Sequence, residues 1–259
     1  MSGRLAGRRI LVTGASRGIG YAIAESFAAQ GADLVISATS ESSLESINEA
    51  LSAYKVEVRS VTADISQADD VDSLFAKSVE FFPDLDGVVN NAGIHIGKPF
   101  TDYDMDEFDR IMKVNVYSVF QLTQLAIRHM QSLGRGKVIN IASTAGKWES
   151  MNQAAYNTTK HAVVGLTRCV ALENAKNNIN VNAICPGIVE TDLVYNAATL
   201  MEDAGLTNDE VRHMIESRIP MGRMLQPQEV ADIAVYLASS ESDGMTGQTI
   251  TISGGMRMG

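Results

Sequence analysis

The stretch Arg9-Ile10-Leu11-Val12-Thr13-Gly14-Ala15-Ser16-Arg17-Gly18-Ile19-Gly20 decides the fold. Its first residues are rich in apolar and β-branched side chains and read as a buried strand, and a helical period runs from about Gly18 to Gln30. Between them lies a glycine turn spaced GxxxGxG, which does not literally match the GxGxxG dinucleotide fingerprint. The physics is similar: glycines allow a tight turn and the close approach of a ligand, and the start of a helix offers free N–H groups to a pyrophosphate. Taken alone, such a turn serves a phosphate or a purely structural connection about equally well.

Outward from this point the alternation continues. Strands are predicted at Asp33–Ser37, Val56–Val61, Gly87–Asn90, Lys137–Ile141, Ile179–Ile184 and Gln248–Ile252. Helices are predicted at Ser42–Ala53, up to about Phe82-Pro83, at Asp106–Leu133, at about Ala154–Asn177 and after Pro227. A βα repeat sustained to the end predicts an α/β fold. The expected form is a Rossmann-like, doubly wound parallel sheet of about seven strands with helices on both faces and a ligand crevice at the carboxyl ends of the strands. A closed eight-stranded barrel is the rival at this length. No linker, low-complexity tract or repeat divides the chain, so residues 1–259 read as one dinucleotide-binding and catalytic domain. The irregular-looking stretch from Glu190 to Pro220 reads as a substrate loop.

Composition narrows the functional classes. The 259 residues carry a formal net charge of -10, which argues against nucleic acid and against an anionic membrane surface. No apolar run approaches the roughly 20 residues needed to cross a bilayer, and the basic N-terminus lacks the apolar segment of a secretory signal, so the cytoplasm is the default address. Cys169 and Cys185 show no metal or redox spacing and are expected to be reduced and buried. His95, His129, His161 and His213 share no ligand spacing, and no metal is expected.

The end of the second strand bears on the cofactor. NAD sites usually place an Asp or Glu there against the ribose 2′-hydroxyl. Here the residues are Ala38-Thr39-Ser40, so a 2′-phosphate meets no carboxylate, and Arg17, Thr39 and Ser40 can bind it. This favours NADP(H), with Glu41 close enough to keep NAD(H) open.

Ser143 follows the strand Lys137–Ile141, and Tyr156 and Lys160 lie four apart in a helical stretch, on one face. A free phenol has a pKa near about 10, and a nearby ammonium is expected to lower it, making Tyr156 a general acid for carbonyl reduction and a base for the reverse. Ser143 would hydrogen-bond the substrate oxygen. A Tyr–Lys pair of this kind is more often structural than catalytic when it stands alone.

Together with the other motifs it does not stand alone. From Arg9 to the C-terminus the chain resembles the classical short-chain dehydrogenase/reductase family. The resemblance rests on Thr13 through Gly20, Asp64-Ile65, Asn90-Asn91-Ala92-Gly93, Asn115, Ser143, Tyr156 through Lys160, Pro186-Gly187-Ile188-Val189-Glu190-Thr191 and Ser253-Gly254-Gly255. It implies a catalytic set of Asn115, Ser143, Tyr156 and Lys160, with Asn115 helping to hold a water that links Lys160 to solvent. It implies cofactor contacts from Gly14, Ser16, Arg17, Gly18, Ile19 and Gly20, from Asp64 and Ile65 beside the adenine, and from Asn91, Ala92 and Gly93 on the adenine-ribose side. Lys160 would bind the nicotinamide ribose, and Pro186, Gly187, Ile188 and Thr191 would surround the carboxamide. It also implies a homotetramer built on the two long helices.

The substrate is harder to read. The resemblance is strongest to 3-oxoacyl-(acyl-carrier-protein) reductases and polyketide ketoreductases, which implies a carbonyl or alcohol substrate carried on a carrier protein or CoA. A secondary-alcohol or hydroxy-acid dehydrogenase and a dinucleotide-binding regulator without turnover are the alternatives. Arg128, Arg135 and Lys137 are candidates for a carrier-protein patch, Trp148 and Met151 for pocket walls or plain packing, and His95 for a place near the crevice.

Overall fold

The computed structural model describes residues 3–192, 194 and 207–258. Its strands are β1 (Arg9–Thr13), β2 (Asp33–Ala38), β3 (Val58–Thr62), β4 (Gly87–Asn90), β5 (Gly136–Ile141), β6 (Ile179–Pro186) and β7 (Thr249–Ile252). The connections carry α1 (Gly18–Ala29), α2 (Glu41–Leu51), α3 (Ala68–Phe81), α4 (Met105–Met112), α5 (Ser118–Leu133), α6 (Ala154–Asn174), α7 (Asn208–Glu216) and α8 (Pro227–Ala238). The sheet order is β3-β2-β1-β4-β5-β6-β7, and every neighbouring pair is parallel. The order runs outward from β1 on one side and from β4 on the other. Connections therefore diverge between these two strands and leave a crevice at their carboxyl ends. The open edges at β3 and β7 rule out the barrel.

Apolar runs in the strands follow from burial of both faces. Ile10 and Val12 pack into one core with Ile23 and Phe27 of α1 and Val230 and Ala234 of α8. Their neighbour Leu11 points the other way, with Val88 and Val138, onto Leu74 and Phe75 of α3 and Leu122 and Ala126 of α5. Each such side chain contributes about 1.5–3 kcal/mol when fully buried.

Polar groups inside this core are paired. Asn90 donates to Asn140 Oδ1 at 2.8 Å and to Thr123 Oγ1 at 3.1 Å, and Asn140 donates to Thr167 Oγ1 at 2.8 Å. All four residues are buried, so β4 and β5 are pegged by side chains to α5 and α6, the helices beneath the crevice.

Three expectations change. The stretch from Glu190 to Pro220 is not wholly irregular: α7 opens at Thr207, whose hydroxyl accepts from Glu210 N while the Glu210 carboxylate accepts from Thr207 N. That capping box was present in the sequence as Thr207-x-x-Glu210. Residues 195–206 of that stretch lie outside the described residues. Arg135 and Lys137 lie at the amino end of β5, away from the crevice. There Arg135 pairs with Asp86, and Lys137, 5% exposed, pairs with Asp243 at 2.7 Å, so they form no patch at the mouth. Cys185 is buried as expected, but Cys169 is exposed on the outer side of α6. Among the described residues no helix is long and apolar enough to cross a membrane, and no group of three His, Cys, Asp or Glu residues is placed to hold a metal.

The buried ladder gives a stability test. Replacing Asn140 by Leu keeps the volume but leaves Asn90 and Thr167 short of partners, at a cost of about 1–3 kcal/mol. Urea unfolding of Asn140→Leu against the parent should show that loss, and an unchanged midpoint would contradict the assignment.

Candidate active site

The crevice holds about 510 Å³ and is lined from β1, β2, β3, β4, β5 and β6 in turn. Its floor begins at the glycine turn. Gly14 and Gly18 have φ of 63° and 57°, a region in which a side chain is strained. A Cβ on Gly14 would stand 2.9 Å from the Cα of Ala92, so the two strand ends meet with no room for one. The contact is sewn by side chains: Thr13 Oγ1 accepts from Asn91 N and Ala92 N, and Asn91 Nδ2 donates to the carbonyls of Thr13 and Gly14. Asn91 is thus a strut under the turn as well as a lining residue.

Helix α1 begins at Gly18 with no side-chain cap and no acidic residue in its first turn. Its first N–H groups are left for a ligand, which is how a helix start receives a phosphate. Ser16, Arg17 and Ile19 line the same end, with Thr39 at the tip of β2 and Asp64 and Ile65 after β3. A dinucleotide fits this donor set, and a crevice of this volume suits a cofactor.

At the other end, Ser143 closes β5, and its hydroxyl accepts from Ala145 N at 3.1 Å. Tyr156 and Lys160 rise from the first turns of α6, and both line the crevice with Ser143. Burial pushes the Tyr156 phenol up to about 12, with the Ser143 hydroxyl opposing it in part. Burial also brings the Lys160 amine down to about 8, with Nζ donating to the carbonyl of Ile141 at 3.0 Å. The expectation that Lys160 lowers the phenol is therefore not met in this state. Nζ lies 5.6 Å from the Tyr156 ring centre with a hydrogen bond elsewhere, and loss of solvent dominates both groups.

Asn115 sits in a π turn, Lys113–Tyr117, between α4 and α5, so the long helix expected over Asp106–Leu133 is interrupted at that point. Its amide brackets one residue: Oδ1 accepts from Ile94 N and Nδ2 donates to Ile94 O, both at 2.9 Å. Nδ2 also reaches Thr159 Oγ1 at 3.2 Å, joining the segment after β4 to α6 beside Lys160. Asn115 does not itself line the crevice.

Most of the expected site residues meet there, including Gly20, Ala92, Gly93, Pro186, Gly187 and Thr191. Two do not. Ser40 caps α2, its hydroxyl accepting from Ser43 N, and is not among the crevice-wall residues. Ile188 gives its carbonyl to Leu225 N, and its neighbour Val189 lines the wall instead. Neither Trp148 nor Met151 is a wall residue: the Lys147 ammonium stands over the Trp148 ring, and Met151 is 90% exposed. Several wall residues escaped the sequence reading, among them Asp192, Val114 and Arg110. Asp192 lies 3.8 Å from Arg17 across the mouth, while Val114 and Arg110 approach from the π turn and α4. The signal for Val114 was its place beside Asn115, and for Arg110 its place one helical turn earlier.

A family model described as Enoyl-(Acyl carrier protein) reductase matches residues 14–257. The 3-oxoacyl-(acyl-carrier-protein) reductase FabG of Aquifex aeolicus is 32% identical over 254 residues, 98% of each chain. A short-chain type dehydrogenase/reductase from Mycobacterium marinum superposes with a TM-score of 0.90 at 34% identity, over 98% of this chain and 97% of that one. An actinorhodin polyketide ketoreductase solved with NADPH superposes at 0.92 with 32% identity, over 99% of each. With this ordered sheet, this crevice and these relatives, the chain belongs to the short-chain dehydrogenase/reductase family, as an oxidoreductase acting on the CH–OH/C=O couple.

Proposed function

We propose that the protein is an NADP(H)-dependent reductase that converts a ketone, of the 3-oxoacyl thioester or polyketide-like class, into a secondary alcohol with Tyr156 as general acid. One observation carries it: Ser143, just past the carboxyl end of β5, and Tyr156 line the same crevice, with the buried Lys160 amine one helical turn from Tyr156. A phenol held up to about 12 keeps its proton at neutral pH, which suits a proton donor. The substrate oxygen would take its place between the Ser143 and Tyr156 hydroxyls, receiving a hydrogen bond from one and the proton from the other. Lys160, charged below about pH 8, offsets the negative charge left on the phenol oxygen. Asn115 keeps Ile94 and α6 in register around that centre.

Gly14, Ser16, Gly18, Ile19 and Gly20 would hold the cofactor's pyrophosphate, Asp64, Ile65, Asn91, Ala92 and Gly93 its adenosine, and Lys160, Pro186, Gly187 and Thr191 its nicotinamide end. Bound there, a reduced nicotinamide supplies the hydride. The choice of NADP(H) is supported by the lack of a carboxylate at Ala38 and Thr39 on the crevice wall and by Arg17, 74% exposed at the mouth. The Arg17–Asp192 contact joins two exposed groups and is weak enough for a phosphate to displace. Relatives named as 3-oxoacyl-(acyl-carrier-protein) reductases support a carrier-bound substrate. The reading extends to one catalytic domain over residues 1–259 with its substrate wall at about 190–220. It also extends to a homotetramer through the exposed apolar Tyr117, Phe120 and Leu172 of the α5 and α6 region. A cytoplasmic address agrees with the two free cysteines.

Following NADPH absorbance with acetoacetyl thioesters, diketones and cyclic ketones tests the reading directly. Tyr156→Phe should lose about 10²–10⁴-fold in kcat, the usual worth of general acid catalysis, and full activity in that variant would refute the mechanism. Because a buried lysine gives up its proton as pH rises through its lowered pKa, kcat/KM for reduction should fall above about pH 8. In Lys160→Arg that alkaline limb should vanish, and a wild-type profile flat to pH 10 would speak against a role for the ammonium. Arg17→Ala should weaken NADPH use by about 10–100-fold more than NADH use, from the loss of a charge-assisted hydrogen bond. Equal losses with both cofactors would remove the case for a 2′-phosphate site.

A further inference from the structure

His95 stands two residues beyond Gly93, on the segment that leaves β4. Its path is held on both sides. The Asn115 amide brackets Ile94, and Tyr103 Oη donates to the carbonyl of Ile96 at 2.9 Å and to that of Asn152 at 3.4 Å. The chain then folds back so closely that a Cβ on Gly97 would lie 2.8 Å from His95 Cε1. The imidazole is thereby pressed against the phenol of Tyr156, ring centres 4.8 Å apart and planes 67° from parallel. An edge-to-face pair of this kind is a defined contact.

Among the described residues neither imidazole nitrogen takes part in a hydrogen bond, and burial alone sets the ring's proton affinity, lowering it. A neutral imidazole offers one donor and one acceptor. Neither nitrogen is among the buried unpaired atoms, so the ring keeps a solvent-accessible donor and acceptor beside Tyr156, just past Ile94 of the crevice wall. Neighbouring side chains do not take them up. Lys98 is engaged by Glu107, and His161, the other imidazole near the start of α6, is turned to the carbonyl of Asn157.

We propose that His95 is a specificity-determining residue that hydrogen-bonds a second oxygen of the substrate, one next to the carbonyl that Tyr156 protonates. The substrates so selected are ketones with a further carbonyl beside the reacting one, such as 3-oxo thioesters and 1,3-diketones, over ketones with a single oxygen. This rests on the reductase reading given above and adds to it the group that reads the rest of the substrate. A site built to hydrogen-bond a substrate oxygen discriminates strongly against an analogue that lacks it, because its own polar groups are then left unpaired.

Two substitutions separate hydrogen bonding from packing. His95→Phe keeps a ring against Tyr156 but has no donor or acceptor, whereas His95→Gln keeps a donor and an acceptor but has no ring. With NADPH and acetoacetyl-N-acetylcysteamine, His95→Phe should lose about 10–100-fold in kcat/KM, mostly in KM, and His95→Gln should lose less. Thermal unfolding of each variant confirms that it is folded. The reverse order, with Phe near wild type and Gln impaired, shows that the ring only packs and overturns the proposal, as does wild-type behaviour in both. A wild-type enzyme that reduces cyclohexanone but not the 3-oxo thioester overturns it too, while leaving the reductase reading in place. Failure to reduce any ketone brings down that reading, and this inference with it.

Discussion

The structure depends on how the carboxyl ends of β1 and β4 are held together. These neighbouring strands send their chains in diverging directions, and the gap so formed is the crevice. Such a gap exposes backbone groups with no ladder partner, which is costly in a dry interior. Thr13 and Asn91 meet that demand, the hydroxyl accepting from two backbone N–H groups and the amide donating to two carbonyls. The glycine turn can lie flat on this seam only because Gly14 and Gly20 carry no Cβ. The position of α1, and with it the phosphate end of the site, follows from that fit.

The chemical end is built differently. Ser143 extends from β5, and Tyr156 and Lys160 from α6, and the buried chain of Asn90, Asn140 and Thr167 ties that strand to that helix from below. Asn115 adds a second tie from the other side. The wall opposite is joined by partly exposed ion pairs, Glu190 with Arg212 and Arg17 with Asp192. Buried, fully paired polar groups specify one arrangement, and exposed charges constrain little. Reacting groups therefore sit on the side of the crevice that buried pairs fix.

Much of this was legible in the sequence, because it rests on local signals. The seven strands announced themselves by apolar runs, and the glycine turn by its residue types. Ser143, Tyr156 and Lys160 announced themselves by spacing and by family resemblance. What escaped was set by tertiary contact. The contact of His95 with Tyr156 joins residues far apart in the chain, and Asp192 gained its place by facing Arg17. Ser40 was misjudged because its hydroxyl had a local use as a helix cap that competes with a ligand role. The electrostatics of Tyr156 and Lys160 were misjudged because spacing places two groups on a face but says nothing of how dry that face is. Cys169 shows the same limit, since a helix surrounded by apolar residues in sequence still has an outer side.

The π turn at Lys113–Tyr117 works as a phase shifter between α4 and α5. A residue added to a helix rotates everything after it by about 100°. Upstream, α4 has its own buried position at Ile111, and downstream α5 lays Val119, Leu122, Ala126 and Met130 against the sheet. A regular helix would have to choose between aiming Asn115 at Ile94 and laying α5 on the core. The local widening lets the two requirements be met separately, so the packing face of α5 is set independently of the direction of the Asn115 amide.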